Sequence, residues 1–109
     1  IFMHPTILFR YSAIGFVGHR IHYDYPYTKN EENYPDLIVH GPLQATFLLR
    51  AAEKLKGKTV TSFNHKVMAP VFANSDYIIG AKENTDGSIS CWGAVKGSGM
   101  TMQAEAYFE

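Results

Sequence analysis

A long apolar helical pattern over residues 42–56, followed by alternating strand patterns over residues 58–109, constrains this chain more than any other feature. Pro42 suits the first helical position, where its missing N–H is not needed. Leu43, Phe47, Leu48, Ala51, Ala52 and Leu55 recur at helical spacing. Ala45 and Leu49 widen the apolar surface, so the helix reads as buried on most sides. Arg50, Lys54 and Lys56 sit where the helix dipole favours cations, and Gly57 supplies the stop. Beyond it, Thr59–Val67, Tyr77–Lys82 and Ser88–Lys96 read as strands. Asn84-Thr85-Asp86-Gly87 is a hairpin signal, because glycine tolerates the positive φ of such turns. In the last strand, Met100, Met102, Ala104, Ala106 and Phe108 alternate with Thr101, Gln103, Glu105 and Tyr107, giving one apolar and one polar face. One long helix followed by an antiparallel meander is an α+β arrangement, best satisfied by an antiparallel sheet wrapped around a central helix.

The first 40 residues are irregular and aromatic. Pro5, Pro26 and Pro35 punctuate them. Residues 11–17 read as a short helix and residues 29–36 as a solvated loop.

The whole length of 109 residues makes one domain with a modest core. Ten basic and ten acidic residues balance to zero net charge, which argues against a nucleic-acid binder with its basic patch. Low net charge and 46% hydrophobic content favour a buried partner surface. Cys91 is the only cysteine, so there is no disulfide framework or cysteine-rich zinc site, which fits a reducing cytoplasm. No apolar run reaches a membrane span or marks a signal peptide. The chain opens on Ile1 rather than Met, as a fragment or the ordered part of something longer would.

Ionisable residues concentrate in Gly18-His19-Arg20-Ile21-His22-Tyr23-Asp24. The helix start Val39-His40-Gly41-Pro42-Leu43 then offers free backbone N–H groups. General acid–base groups beside such donors suit chemistry on a carbonyl or thioester.

Residues 8–52 resemble the MaoC-like hot-dog hydratases, and within them the branch of mesaconyl-CoA and itaconyl-CoA hydratases and related hydroxyacyl-thioester dehydratases. The stretches that carry the resemblance are Leu8–Ala13, Gly18–Asp24 and His40–Leu49. It implies a hot-dog fold, with residues 1–109 as one hot-dog unit, paired with a second copy or forming half of a double hot dog. It also implies reversible hydration of a 2-enoyl thioester carried on coenzyme A or acyl-carrier protein, with no metal or redox cofactor. The general motif of the family, Gly-Asp-x-Asn-Pro-x-His, aligned on its final His, falls on Phe16–His22. The catalytic His is kept as His22. The Asp falls on Val17, which cannot ionise, and His19 and Arg20 replace Asn and Pro. The His-Arg-Ile-His form, without the Asp, is shared by the mesaconyl and itaconyl branch. His40-Gly41 matches the turn whose glycine N–H holds the thioester carbonyl.

The resemblance therefore implies His22, His19 and Gly41 as catalytic residues, and Arg20, Asp24, His40 and Leu43 as substrate-binding ones. Other readings stand beside these. Arg20 could pair with Asp24 four residues on, or meet a substrate carboxylate or CoA phosphate. Asp24 could orient a histidine or cap the turn that follows. His19, His22 and Asp24 are metal-ligand types, but no third histidine has matching local spacing. Cys91 reads as a small core residue. A hot-dog thioesterase would use the same carbonyl site but wants a carboxylate near the helix, where Gln44 stands. A non-catalytic hot-dog half that scaffolds an active partner is the remaining alternative, and Val17 is the feature behind it.

Overall fold

The computed structural model describes all residues 1–109, and its chain order follows the sequence patterns from residue 41 onward. Helix α1 spans Pro5–Ile14, a single 3-10 turn covers Arg20–His22, α2 spans Tyr25–Asn30 and α3 spans Gly41–Lys56. Strands β1 (Ser62–Val67), β2 (Tyr77–Glu83), β3 (Ile89–Val95) and β4 (Gly99–Tyr107) form one antiparallel sheet in the order β1-β4-β3-β2. No helix is long and apolar enough to cross a membrane.

The N-terminal helix lies earlier than residues 11–17. Pro5 starts it, since proline's fixed φ suits a first turn. Gly15 ends it, and Phe16 follows at φ 54, a left-handed position normally left to glycine. Of the expected solvated loop 29–36, Lys29 and Asn30 belong to the end of α2, and the rest stays outside any helix or strand.

Helix α3 packs on the sheet through Leu43, Gln44, Leu48 and Ala52. It is not buried on most sides: Thr46, Arg50, Lys54 and Leu55 are exposed, because the single sheet layer covers one flank only. Gly57 closes the helix at φ 75 as the stop signal requires. Under the helix lies a core of Leu48, Ala52, Ile89, Cys91, Met102, Ala104 and Ala106. A second core, of Met3, Leu8, Leu37, Val39, Leu43, Val71, Ala73 and Tyr77, joins α1 to the start of α3.

The alternation of β4 breaks at one point. Gly93 pairs with Met102, but Ala94 pairs with Met100, so Thr101 is the extra residue of a bulge. Thr101 turns inward and is buried, while Met100 turns outward, the reverse of the sequence expectation for both. Thr101 Oγ1 lies 3.3 Å from both Gln44 Oε1 and the Gly93 carbonyl.

Candidate active site

The segment Leu37–His40 carries the site. Val39 N–H donates to the Val71 carbonyl and Ala73 N–H to the Leu37 carbonyl, both at 2.7 Å. These bonds fix the chain as it enters α3. On the other side, Ile38 N–H donates to the Ile21 carbonyl at 2.9 Å, tying the 3-10 turn to the same segment.

His22 sits half-buried at the end of that turn, with Nδ1 2.6 Å from the Ile38 carbonyl. A carbonyl only accepts, so Nδ1 carries the proton and Nε2 is left with its lone pair. Burial lowers the pKa of His22 below 6.5, the Ile38 hydrogen bond opposes this, and nearby His19 adds to the lowering. The ring is therefore neutral and basic at Nε2 near pH 7.

His40 lies against it, the two rings stacked at 3.8 Å and 17°. His40 is buried, with Nε2 2.7 Å from Ser12 Oγ on α1 and Tyr11 edge-on at 4.6 Å. Its Nδ1 is buried with no partner. Burial, reinforced by His22, pushes its pKa down to about 4.

Gly41 opens α3 next to His40. The first N–H groups of a helix have no intrahelical acceptor, and Pro42 has none to offer. The Gly41 and Leu43 N–H groups therefore form the free donor pair at the positive end of α3. A Cβ on Gly41 would meet nothing closer than Val67 Cγ2 at 3.9 Å, so the Cα of Gly41 is uncrowded.

The remaining residues fall elsewhere. His19 is exposed and meets His22 edge-on at 5.9 Å. Arg20 directs Nε and Nη2 onto Asp24 Oδ2, at 3.0 and 2.9 Å, and stacks its guanidinium 4.0 Å from the Tyr27 ring centre. Asp24 Oδ1 caps α2 by accepting from Tyr27 N–H, and the carboxylate touches no histidine. These two charges thus hold α2 to the turn. No three histidine, cysteine, aspartate or glutamate side chains converge as metal ligands, so His19, His22 and Asp24 do not form a ligand set. The Leu43 side chain is in the core rather than in an open cleft. Val17 lines a small cavity of about 170 Å³ with Phe9, Ser12, Ala13 and Tyr23. Cys91 is buried, and burial pushes its thiol up to about 11, so it is no nucleophile.

Sequence reasoning missed Ser12 and gave His40 no independent signal. A usable cue existed: with a helix starting at Pro5, Leu8 and Ser12 share its inner face, and both are buried.

Residues 1–73 match the family described as hydroxyacyl-thioester dehydratase type 2. The mesaconyl-C(4)-CoA hydratase of Chloroflexus aurantiacus is 43% identical over 82 residues, 75% of this chain and 29% of the relative. The mitochondrial hydroxyacyl-thioester dehydratase type 2 of Schizosaccharomyces pombe is 37% identical over 73 residues, 64% of this chain and 24% of the relative. The chain thus spans under a third of the length of these relatives. Among solved structures, the (R)-hydratase of A. caviae superposes with a TM-score of 0.83 at 16% identity, covering 97% of this chain and 86% of that one, which establishes the hot-dog fold. With the sheet, the central helix and the matched first two thirds of its length, this chain belongs to the hydroxyacyl-thioester dehydratase type 2 family.

Proposed function

We propose that the protein is a hydro-lyase that adds water to, or removes it from, a 2-enoyl thioester of coenzyme A. The observation that carries this reading is the His22 imidazole: its Nδ1 is committed to the Ile38 carbonyl, its Nε2 is free, and its ring stacks on the residue just before Gly41. The thioester carbonyl would accept from the Gly41 N–H at the positive end of α3. That draws electron density from the double bond and opens Cβ to attack. His22 Nε2 would take a proton from water as its oxygen bonds to Cβ, and return a proton to Cα. Dehydration runs the same steps in reverse. His19 stands at the edge of His22 as a second candidate acid–base group. Arg20 and Asp24, already paired with each other, would act by holding the turn rather than by binding substrate. The thioester is substrate, and the scheme uses no further cofactor. A carrier-protein thioester is the alternative form of the same substrate.

A thioesterase reading wants a carboxylate near the start of α3. Gln44 is there instead, buried with Oε1 accepting from Tyr77 Oη at 3.2 Å. The partner we propose is a second hot-dog unit, on the same chain or another. Support comes from the surface: Ile14 and Phe16 are 81% and 95% exposed, apolar side chains that a partner would cover.

The test is hydration of crotonyl-, mesaconyl- and itaconyl-CoA by the intact protein, followed by loss of enoyl absorbance. His22→Ala should cut turnover by about 10²–10⁴, the usual worth of general acid–base catalysis. A His22→Ala protein with full activity would end the proposal.

A further inference from the structure

We propose that Ser12 and His40 are a positioning pair for His22, with Ser12 anchoring the His40 ring and the His40 face holding the His22 ring in its working orientation. This rests on the reading of His22 as the acid–base group. The geometry spans three elements. Ser12 comes from α1, His40 from the residue before α3, and His22 from the 3-10 turn. The Ser12 Oγ–His40 Nε2 contact of 2.7 Å fixes the plane of the His40 ring. The near-parallel stack at 3.8 Å passes that plane on to His22. The Ile38 carbonyl then fixes rotation within the plane, through Nδ1. One hydrogen bond and one flat face together leave Nε2 a single direction.

The choice of an imidazole at position 40 needs a reason. Its buried Nδ1 has no partner, which a fold built for stability alone avoids. A phenylalanine would fill the same space with no orphaned nitrogen. What the imidazole adds is the bond to Ser12, and so a defined ring plane under His22. The groups facing this stack are few. Tyr11 from α1 meets His40 edge-on, and His19 meets His22 edge-on. On the turn itself, Arg20 and Asp24 are bound to each other.

The test compares Ser12→Ala, Ser12→Thr, His40→Ala and His22→Ala in the intact protein, assayed for enoyl-CoA hydration across pH. Ser12→Ala should lower kcat by about 10–100-fold, the effect of misplacing a reacting group. KM should stay within about two-fold, since no substrate contact is removed. Ser12→Thr, which keeps the hydroxyl, should restore most of kcat. His40→Ala should lower kcat further and move the acid limb of kcat/KM to higher pH, because His22 becomes hydrated and loses its neighbour. If Ser12→Ala and His40→Ala keep kcat and the acid limb while His22→Ala is inactive, the positioning role is overturned and the hydratase reading stands. If His22→Ala is itself fully active, it is the hydratase reading that fails. Failure of Ser12→Thr to restore kcat also overturns the proposal. Should the alanine variants not fold, proton NMR of the wild-type imidazoles decides. A hydrogen bond between Ser12 Oγ and His40 Nε2, with His22 held as its Nδ1–H tautomer, supports the pair, and a His40 ring without that bond or a His22 ring that averages between tautomers overturns it.

Discussion

At the scale of single residues, the two stacked imidazoles tie the site to the stability of the fold. His40 titrates at about 4 and His22 below 6.5, whereas both are ordinary imidazoles in the unfolded chain. As pH falls through 6.5, the unfolded chain therefore binds protons first. Stability is full above that pH and declines down toward about pH 4. Each tenfold loss of proton affinity on folding corresponds to about 1.4 kcal/mol, so His40 accounts for a decline of about 3 kcal/mol. Asp24, held low by the Tyr27 N–H and by Arg20, and Asp86, held low by Ser88, act in a separate window, below the ordinary carboxylate value of 3.8. Urea unfolding at a series of pH values should show the decline, and His40→Asn should flatten it. An unchanged slope in that variant would remove His40 as its source.

At the scale of elements, the bulge in β4 and the glycine opposite it join the helix to the sheet. The bulge brings Thr101 under α3, where it and Tyr77 Oη converge on Gln44 Oε1. Gly93 makes room for this, since a Cβ there would lie 1.8 Å from Tyr77 Oη. Tyr77 is fully buried and cannot swing into solvent. Gly93→Ala should therefore destabilise by about 2–3 kcal/mol, the upper end for overpacking a core. Chemical denaturation measures this, and a loss under about 0.5 kcal/mol, the range of an ordinary surface change, would mean that the sheet shifts to accommodate the methyl. Because α3 carries both Gln44 and Gly41, the same lesion should also disturb the proposed carbonyl site one turn away.

At the scale of the whole molecule, the chain buries only 22 of its 109 residues, a small core for a free-standing domain. Phe16 takes the left-handed position that closes α1, with the next N–H, of Val17, bonded to the Ser12 carbonyl at 2.8 Å, but its ring is almost wholly in solvent, an exposure that does not serve this fold in isolation. β1 forms one edge of the sheet and is exposed along nearly its whole length. Both features fit pairing with a second hot-dog unit. Light scattering of the intact protein should give a particle with an even number of hot-dog units. A stable particle with a single unit would refute the pairing.

What the sequence determined by itself is whatever depends on neighbours a few residues apart. Pro42 and Gly57 bracket α3, and Asp86-Gly87 turns β2 into β3, with Asp86 Oδ1 accepting from Ser88 N–H at 3.0 Å. Arg20 reaches Asp24 four residues on, one of the two partners the sequence left open to it. These choices are local, because periodicity, caps and turn residues act through the chain's own geometry. His22 was legible as part of the ionisable cluster at 18–24, its catalytic role only through a motif resemblance, and its free Nε2 only through the Ile38 carbonyl. The tertiary structure alone decided the rest. Ser12 meets His40 across 28 positions, and although helical spacing could place Ser12 on the inner face of α1, no local pattern marks the pairing. Thr101 turns inward because of its register with β3, not because of its own alternation. α3 keeps an exposed flank because one sheet layer covers one side, whereas its apolar count alone suggested burial on most sides. Contacts of this kind depend on how α1, the turn and α3 dock, and docking is fixed by packing many side chains at once rather than by the spacing of any few.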